Sequence, residues 1–199
     1  MARVPLRLMK RENEIVIDLQ VIEKTDVAKD PFQFFAAAPV LDDASLKAIQ
    51  HDFPNIDKPG IYPLSELSYG PAFGRLIEEI KSEPFAAAIG KKFGVDLSGM
   101  PLMITVRGQA QAKDGRIHTD TKDKVVTCLL YLNDKWDEGG GRLRMLKNGH
   151  DLEACAAEIP PSGGTLAAFK VGPNSWHGHK PYVGQRRYVM FNWVQSDAA

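Results

Sequence analysis

Apolar residues recur at helical spacing through the first half of the chain, whereas short apolar or alternating runs dominate the second half. Leu46, Ile49 and Phe53 follow Asp42 and Asp43, either of which can cap a helix that Pro54 ends. Phe73, Leu76, Ile77 and Ile80 fall at i, i+3, i+4 and i+7, and Phe85, Ala88, Ile89 and Phe93 repeat the stripe before Gly94. Stripes of this kind are core faces, so they predict a supporting layer of helices. Ahead of them, Glu14 to Ile22 reads as a first strand.

From Leu102 onward, Gly, Pro, Asn and Asp clusters separate runs that predict successive strands. These are Leu102 to Gln109, Arg116 to Asp120, Lys124 to Leu132, Gly141 to Leu146, Leu152 to Ile159, Thr165 to Phe169, Ser175 to His177 and Gln185 to Val194. So many short strands predict a double-sheet jelly roll or a closed barrel. The expected class is α+β, with residues 1–95 as a helical support region carrying a first strand and residues 96–199 as a β-rich core, in one compact domain. The glycines at 139–141 lack the strand-to-helix context of a phosphate loop and read as a turn at the head of a strand.

Composition narrows the class. With 199 residues, 44% hydrophobic and 25% charged, the chain is of ordinary globular type and can hide about 70% of its unfolded surface without staples. Lys plus Arg and Asp plus Glu are 25 each, so there is no bulk charge to attract nucleic acid or an anionic membrane. Cys128 and Cys155 are too few for a disulfide framework. The basic N-terminus has no long apolar stretch, and no run reaches the roughly 18 apolar residues of a membrane span. A cytoplasmic location is expected.

The chemistry concentrates in a few residues. Along a strand, the period-2 rule sends His118 and Asp120 to one face and Thr119 to the other. A second imidazole, His177, completes a 2-His-1-carboxylate set that leaves cis positions open on Fe(II), although Zn(II) and Mn(II) accept the same donors. In the last strand Arg187 shares a face with Val189, Phe191 and Trp193. A guanidinium on that apolar face needs an anion, and its planar fork suits the distal carboxylate of a dicarboxylic cosubstrate. Pairing of Arg187 with one of the protein's own acids, or its reaching solvent at a strand end, is the alternative.

Taken together, His118-x-Asp120, the run Val126 to Asn133 followed by Trp136, the glycines before a strand, His177-Gly178-x-x-Pro181, Arg187 and Trp193 form a recognisable set. It resembles the 2-oxoglutarate- and Fe(II)-dependent dioxygenases, in particular their prolyl-hydroxylase-like branch, over about the C-terminal half. The resemblance implies a double-stranded β-helix, with His118, Asp120 and His177 holding iron and Arg187 binding the 5-carboxylate of 2-oxoglutarate. Tyr131 and Thr127 would line the cosubstrate pocket and Trp193 would flank it. Fe(II), 2-oxoglutarate and O2 are the implied cofactors, with ascorbate a candidate accessory reductant. The implied reaction hydroxylates an unactivated C–H, yielding succinate and CO2. A prolyl residue in a protein or peptide is the first candidate substrate and a small molecule the second.

Departures from the family pattern leave alternatives open. Arg186 is the runner-up to Arg187, and His179 the runner-up to His177. Arg107, Gln109 and Gln111 stand where the branch often has a tyrosine. Two other readings compete: a zinc hydrolase built on the same His-Asp-His set, and a jelly-roll module that binds a small carboxylate without turnover.

Overall fold

The computed structural model describes residues 17–196. The chain opens with α1 (Leu19–Lys24), whose start is fixed by Asp18: its carboxylate accepts from the amides of Gln20 at 2.9 Å and Val21 at 3.4 Å. This helix replaces the strand expected over Glu14 to Ile22, of which residues 14–16 lie outside the described residues. A short Val/Ile-rich run suits either period, and here the Asp18 cap and packing on a later helix decide it. The other three helices carry the apolar stripes the sequence predicts. In α2 (Asp43–His51), Asp42 accepts from the Ser45 amide at 2.7 Å. Gly70 precedes α3 (Pro71–Ile80), and α4 (Glu83–Phe93) runs from a Ser82 cap to Gly94 in the left-handed conformation at φ 64°.

The strands are β1 (Phe34–Ala37), β2 (Tyr62–Pro63), β3 (Leu102–Ala110), β4 (Lys124–Tyr131), β5 (Leu143–Leu146), β6 (Cys155–Ile159), β7 (Leu166–Lys170), β8 (His177–Gly178) and β9 (Gly184–Val194). They form a six-stranded sheet in the order β1-β7-β4-β9-β3-β2 and a three-stranded sheet in the order β6-β5-β8. All the pairings are antiparallel. This is the expected α+β jelly roll, and it corrects two expectations. Arg116 to Asp120 is not a strand; only His118 pairs there, as an isolated bridge to His177. The edge strands β1 and β2 were not anticipated, because such short segments carry little periodicity and are strands only by virtue of their distant partners, β7 and β3.

The larger sheet has two buried faces. One packs Val106, Cys128, Leu130, Val189, Phe191 and Trp193 against Phe73, Leu76, Phe85 and Ile89 of the helices. The other presents Leu129, Tyr131, Phe169 and Tyr188 to Leu143, Met145 and Ile159 of the smaller sheet. Phe85, 2% exposed, ties the helical layer to β9, its ring lying 5.7 Å from Phe191 and 6.3 Å from Trp193. Phe85→Ala is expected to lower the unfolding free energy by about 3–5 kcal/mol. A denaturant titration at unchanged slope checks this; a loss below about 1 kcal/mol would show that the two layers are not held together there.

Candidate metal and cosubstrate site

The site begins with a backbone pairing. The amide of His118 donates to the carbonyl of His177 at 3.0 Å, and the amide of His177 returns the bond at 2.9 Å, so the two residues lie directly opposite each other. Their ring centroids are 4.3 Å apart. Each ring is oriented by the same local contact, an Nδ1–H donated to the carbonyl two residues earlier: Arg116 for His118 at 2.8 Å and Ser175 for His177 at 2.9 Å. That tautomer leaves both Nε2 atoms with a free lone pair.

Asp120 completes the cluster, with one donor atom from each of His118, Asp120 and His177 lying within 4.8 Å of one another. Its Oδ1 is 4.0 Å from His118 Nε2 and 3.3 Å from the Lys124 ammonium, while its Oδ2 is bonded to the hydroxyl of Thr127. Burial pushes the carboxyl pKa up, but His177, the Thr127 hydroxyl and Lys124 together outweigh it and hold the group below its ordinary value. The result is two imidazole nitrogens and an ionised carboxylate, a donor set that fits Fe(II) with cis positions left over. His179 is not in this cluster. Its Nδ1 binds the Lys180 carbonyl at 2.8 Å, and its ring packs over Gly115, where an added Cβ would lie 2.4 Å from the ring.

The site face of the larger sheet holds a second set of residues. Thr127 sits beside Asp120, and Tyr131, with no exposed surface, marks the other end of β4. Beside Tyr131 is Arg186, which is 2% exposed. Its Nε donates to the Gly141 carbonyl at 2.8 Å, its Nη2 lies 3.4 Å from the Tyr131 hydroxyl, and its guanidinium is 5.4 Å and 5.1 Å from the Tyr131 and Tyr188 ring centroids. Burial, only partly opposed by Arg186, pushes the Tyr131 phenol up to about 12, so it stays a hydroxyl at neutral pH. Among the described residues no acid pairs with Arg186. Gly141, at φ 73°, takes the conformation that carries its carbonyl to the Arg186 Nε, which gives the glycine run a structural purpose.

Arg187 and Trp193 share a face of β9, as the alternation implies, but it is the helical face of the sheet and not the one that carries Thr127, Tyr131 and Arg186, which corrects the inference that the more apolar face holds the site. Arg187 points to the helical side, its guanidinium 5.0 Å from the Phe53 ring, and Trp193 is buried in the helical core. Both faces of β9 are buried, and the more apolar one packs on helices; the pocket face is the more polar, with Arg186, Tyr188 and Asn192. Tyr188 and Asn192 were not among the expected site residues, although alternation along the strand puts them on one face with Arg186. Arg107 also lies on the pocket face, ion-paired to Asp114, with its guanidinium 6.0 Å from the Tyr188 ring. Gln109 sits opposite Gln185, and Gln111 belongs to the turn closed on Asp114.

The buried histidines make stability depend on pH. Burial, then His118, holds His177 down to about 4, and burial, then Arg186, does the same to His179. In the unfolded chain both titrate near 6.5, so between about 4 and 6.5 the unfolded state binds more protons. Their contribution is fully present above about pH 6.5 and is lost as pH falls toward 4. The metal-free protein should therefore lose a few kcal/mol across that window in denaturant titrations, and His179→Gln should flatten the slope. An unchanged slope in His179→Gln would contradict the assignment.

The sequence profile described as the 2OG-Fe(II) oxygenase superfamily matches residues 107–195. No curated protein matches the chain. Among solved structures, a prolyl-4-hydroxylase from Pseudomonas putida superposes with a TM-score of 0.59 at 18% identity, covering 89% of this chain and 91% of that one. A prolyl 4-hydroxylase structure from Phytophthora capsici gives 0.57 at 15% identity, covering 92% of this chain and 64% of that one. HygX from Streptomyces hygroscopicus, with nickel and 2-oxoglutarate bound, gives 0.55 at 15% identity over 90% and 86% of the two chains. The profile thus covers the segment that carries the triad, Tyr131 and Arg186, and the chain shares its fold with these structures along most of its length.

Proposed function

We propose that the protein is a hydroxylase in which His118, Asp120 and His177 hold Fe(II) and Arg186, with the Tyr131 hydroxyl, receives the 5-carboxylate of 2-oxoglutarate. The observation that carries this reading is Arg186 itself. A guanidinium 2% exposed, with no acid partner among the described residues, is an uncompensated charge in a low-dielectric pocket. A dicarboxylate reaching from the triad to Tyr131 supplies the missing anion and meets a planar fork of donors. A zinc hydrolase would leave that cation without a role.

Bound iron supplies the activation of O2 and the oxidative decarboxylation of the cosubstrate, with one oxygen atom entering succinate and the other the substrate C–H. The chain's own part is positional. Carbonyls of Arg116 and Ser175 keep both imidazoles turned inward, Thr127 and Lys124 keep Asp120 ionised, and Phe169, whose ring is 4.6 Å from that of His177, keeps one side of the site apolar. Tyr188 and Tyr131 shield the Arg186 end from water. The substrate we propose is a prolyl residue of a peptide or protein, supported by the prolyl hydroxylases among the proteins that share this fold.

An anaerobic Fe(II) and 2-oxoglutarate titration, followed by an oxygen-dependent succinate assay, tests the reading. His177→Ala and Asp120→Ala should abolish succinate formation. Arg186→Leu should raise the 2-oxoglutarate dissociation constant about 100-fold or more, as expected when one partner of a buried charge pair is removed, while Arg187→Leu should change it less than about threefold. The reverse ranking would return the clamp to Arg187. Proline-containing peptides that gain one oxygen atom would establish the substrate class, and tight 2-oxoglutarate binding without succinate would refute the hydroxylase reading.

A further inference from the structure

Arg186 has no acid partner among the described residues, yet a carboxylate stands in its neighbourhood. His179 shows how near it is. The His179 ring packs on Gly115, where an added Cβ would lie 2.4 Å from Nδ1, and its amide donates to the Gly115 carbonyl at 2.9 Å, so Asp114, the preceding residue, lies alongside. Burial lowers the His179 pKa most, Arg186 and Arg107 lower it further, and Asp114 raises it, so one imidazole has both guanidiniums and the carboxylate around it. The two guanidiniums also share one aromatic ring, that of Tyr188, with Arg186 at 5.1 Å and Arg107 at 6.0 Å from its centroid.

Asp114 is already engaged. Its Oδ2 accepts from Arg107 Nη1 and, at 2.9 Å, from the Gln111 amide, and the Arg107 and Asp114 side chains are only 10% and 12% exposed. The Gln111 amide fixes the carboxylate independently of Arg107, and a carboxylate with so little solvent requires a cation. Two cations are at hand, and β3 supplies Arg107 for the purpose. With His179 neutral near pH 7, Arg186, Arg107 and Asp114 leave this end of the site with one net positive charge, the complement of one carboxylate.

We infer that Arg107 neutralises Asp114 and thereby reserves Arg186 for the distal carboxylate of the cosubstrate. Without Arg107, the Asp114 carboxylate competes for Arg186 and repels an incoming anion. Arg107 and Asp114 are positioning residues, because they act on the cosubstrate through the charge state of Arg186. The inference rests on the reading of Arg186 as the carboxylate clamp and adds what keeps that clamp open.

Anaerobic titration of the Mn(II)-loaded protein with 2-oxoglutarate reads the effect as a dissociation constant. The control is 2-oxopentanoate, which has a methyl group where 2-oxoglutarate has its 5-carboxylate. At an effective dielectric constant of about 20, a unit charge about 10 Å away changes the affinity for an anion by about tenfold or more, so Arg107→Met should weaken 2-oxoglutarate binding by at least about tenfold. Asp114→Asn should bind 2-oxoglutarate as wild type does or more tightly. The double variant Arg107→Met/Asp114→Asn restores the net charge and should return to within about threefold of wild type, as should Arg107→Lys, which retains it. None of these changes should weaken 2-oxopentanoate binding more than about threefold, because that ligand carries no distal charge. A double variant no better than Arg107→Met, a loss in Asp114→Asn or Arg107→Lys as large as in Arg107→Met, or equal weakening of both 2-oxo acids would show that the pair only holds the loop, and would overturn the inference. Unchanged affinity in Arg107→Met overturns it as well. Arg186→Leu separates the two readings: unchanged 2-oxoglutarate affinity there overturns the clamp, whereas a large loss there without rescue in the double variant overturns the role of Arg107 alone.

Discussion

The reciprocal hydrogen bonds between the backbones of His118 and His177 are what the rest of the site depends on. They join an irregular segment after β3 to the edge strand β8, and they bring together two residues that are far apart in the chain. Because each ring then donates its Nδ1–H to a carbonyl two residues back, tautomer and direction are set by the local backbone. The organisation of the imidazoles therefore exists before any metal arrives, so little ordering cost remains to be met on binding. Asp120, on a loop, lacks such backbone support and relies on Thr127 and Lys124 instead.

A second constraint is the division of the larger sheet into two buried faces. Helices cover one with aliphatic and aromatic side chains, and this layer makes the sheet rigid without touching the chemistry. The opposite face is free to carry polar groups because the smaller sheet closes over it. Arg186 shows how such a group is tolerated. A backbone carbonyl takes one of its N–H groups, and the Tyr131 and Tyr188 rings offer their negative faces to the cation. These contacts compensate the guanidinium only in part, and under the proposed function the 5-carboxylate of 2-oxoglutarate completes its pairing.

Much of this was legible in the chain. The stripes in α3 and α4, a cap at Asp42 or Asp43, the stop at Gly94 and most of the strands follow from periodicity and turn chemistry, which are local properties. His118, Asp120 and His177 stood out through their combination with the other motifs of the second half, and they converge, although His118 and Asp120 do so from a loop rather than a strand. Arg186 and Arg187 could not be told apart in this way. Neighbouring residues on a strand differ only in which face they point to, and the rule that the apolar face is the inner one fails when both faces are buried. Trp193, carried over by the resemblance together with Arg187, lies with it on the helical side.

Local chemistry in the sequence thus determined α2 to α4, the strand-rich second half, and the residue types able to bind a ferrous ion and a dicarboxylate. The assignment of β9's two faces, the pairing of β1 and β2 with distant strands, and the placement of Tyr188 and Asn192 in the pocket were decided only by tertiary structure. The physical reason is that a strand's alternation records that its faces differ, but which layer covers each face is settled by long-range packing, and no short stretch of sequence contains that information.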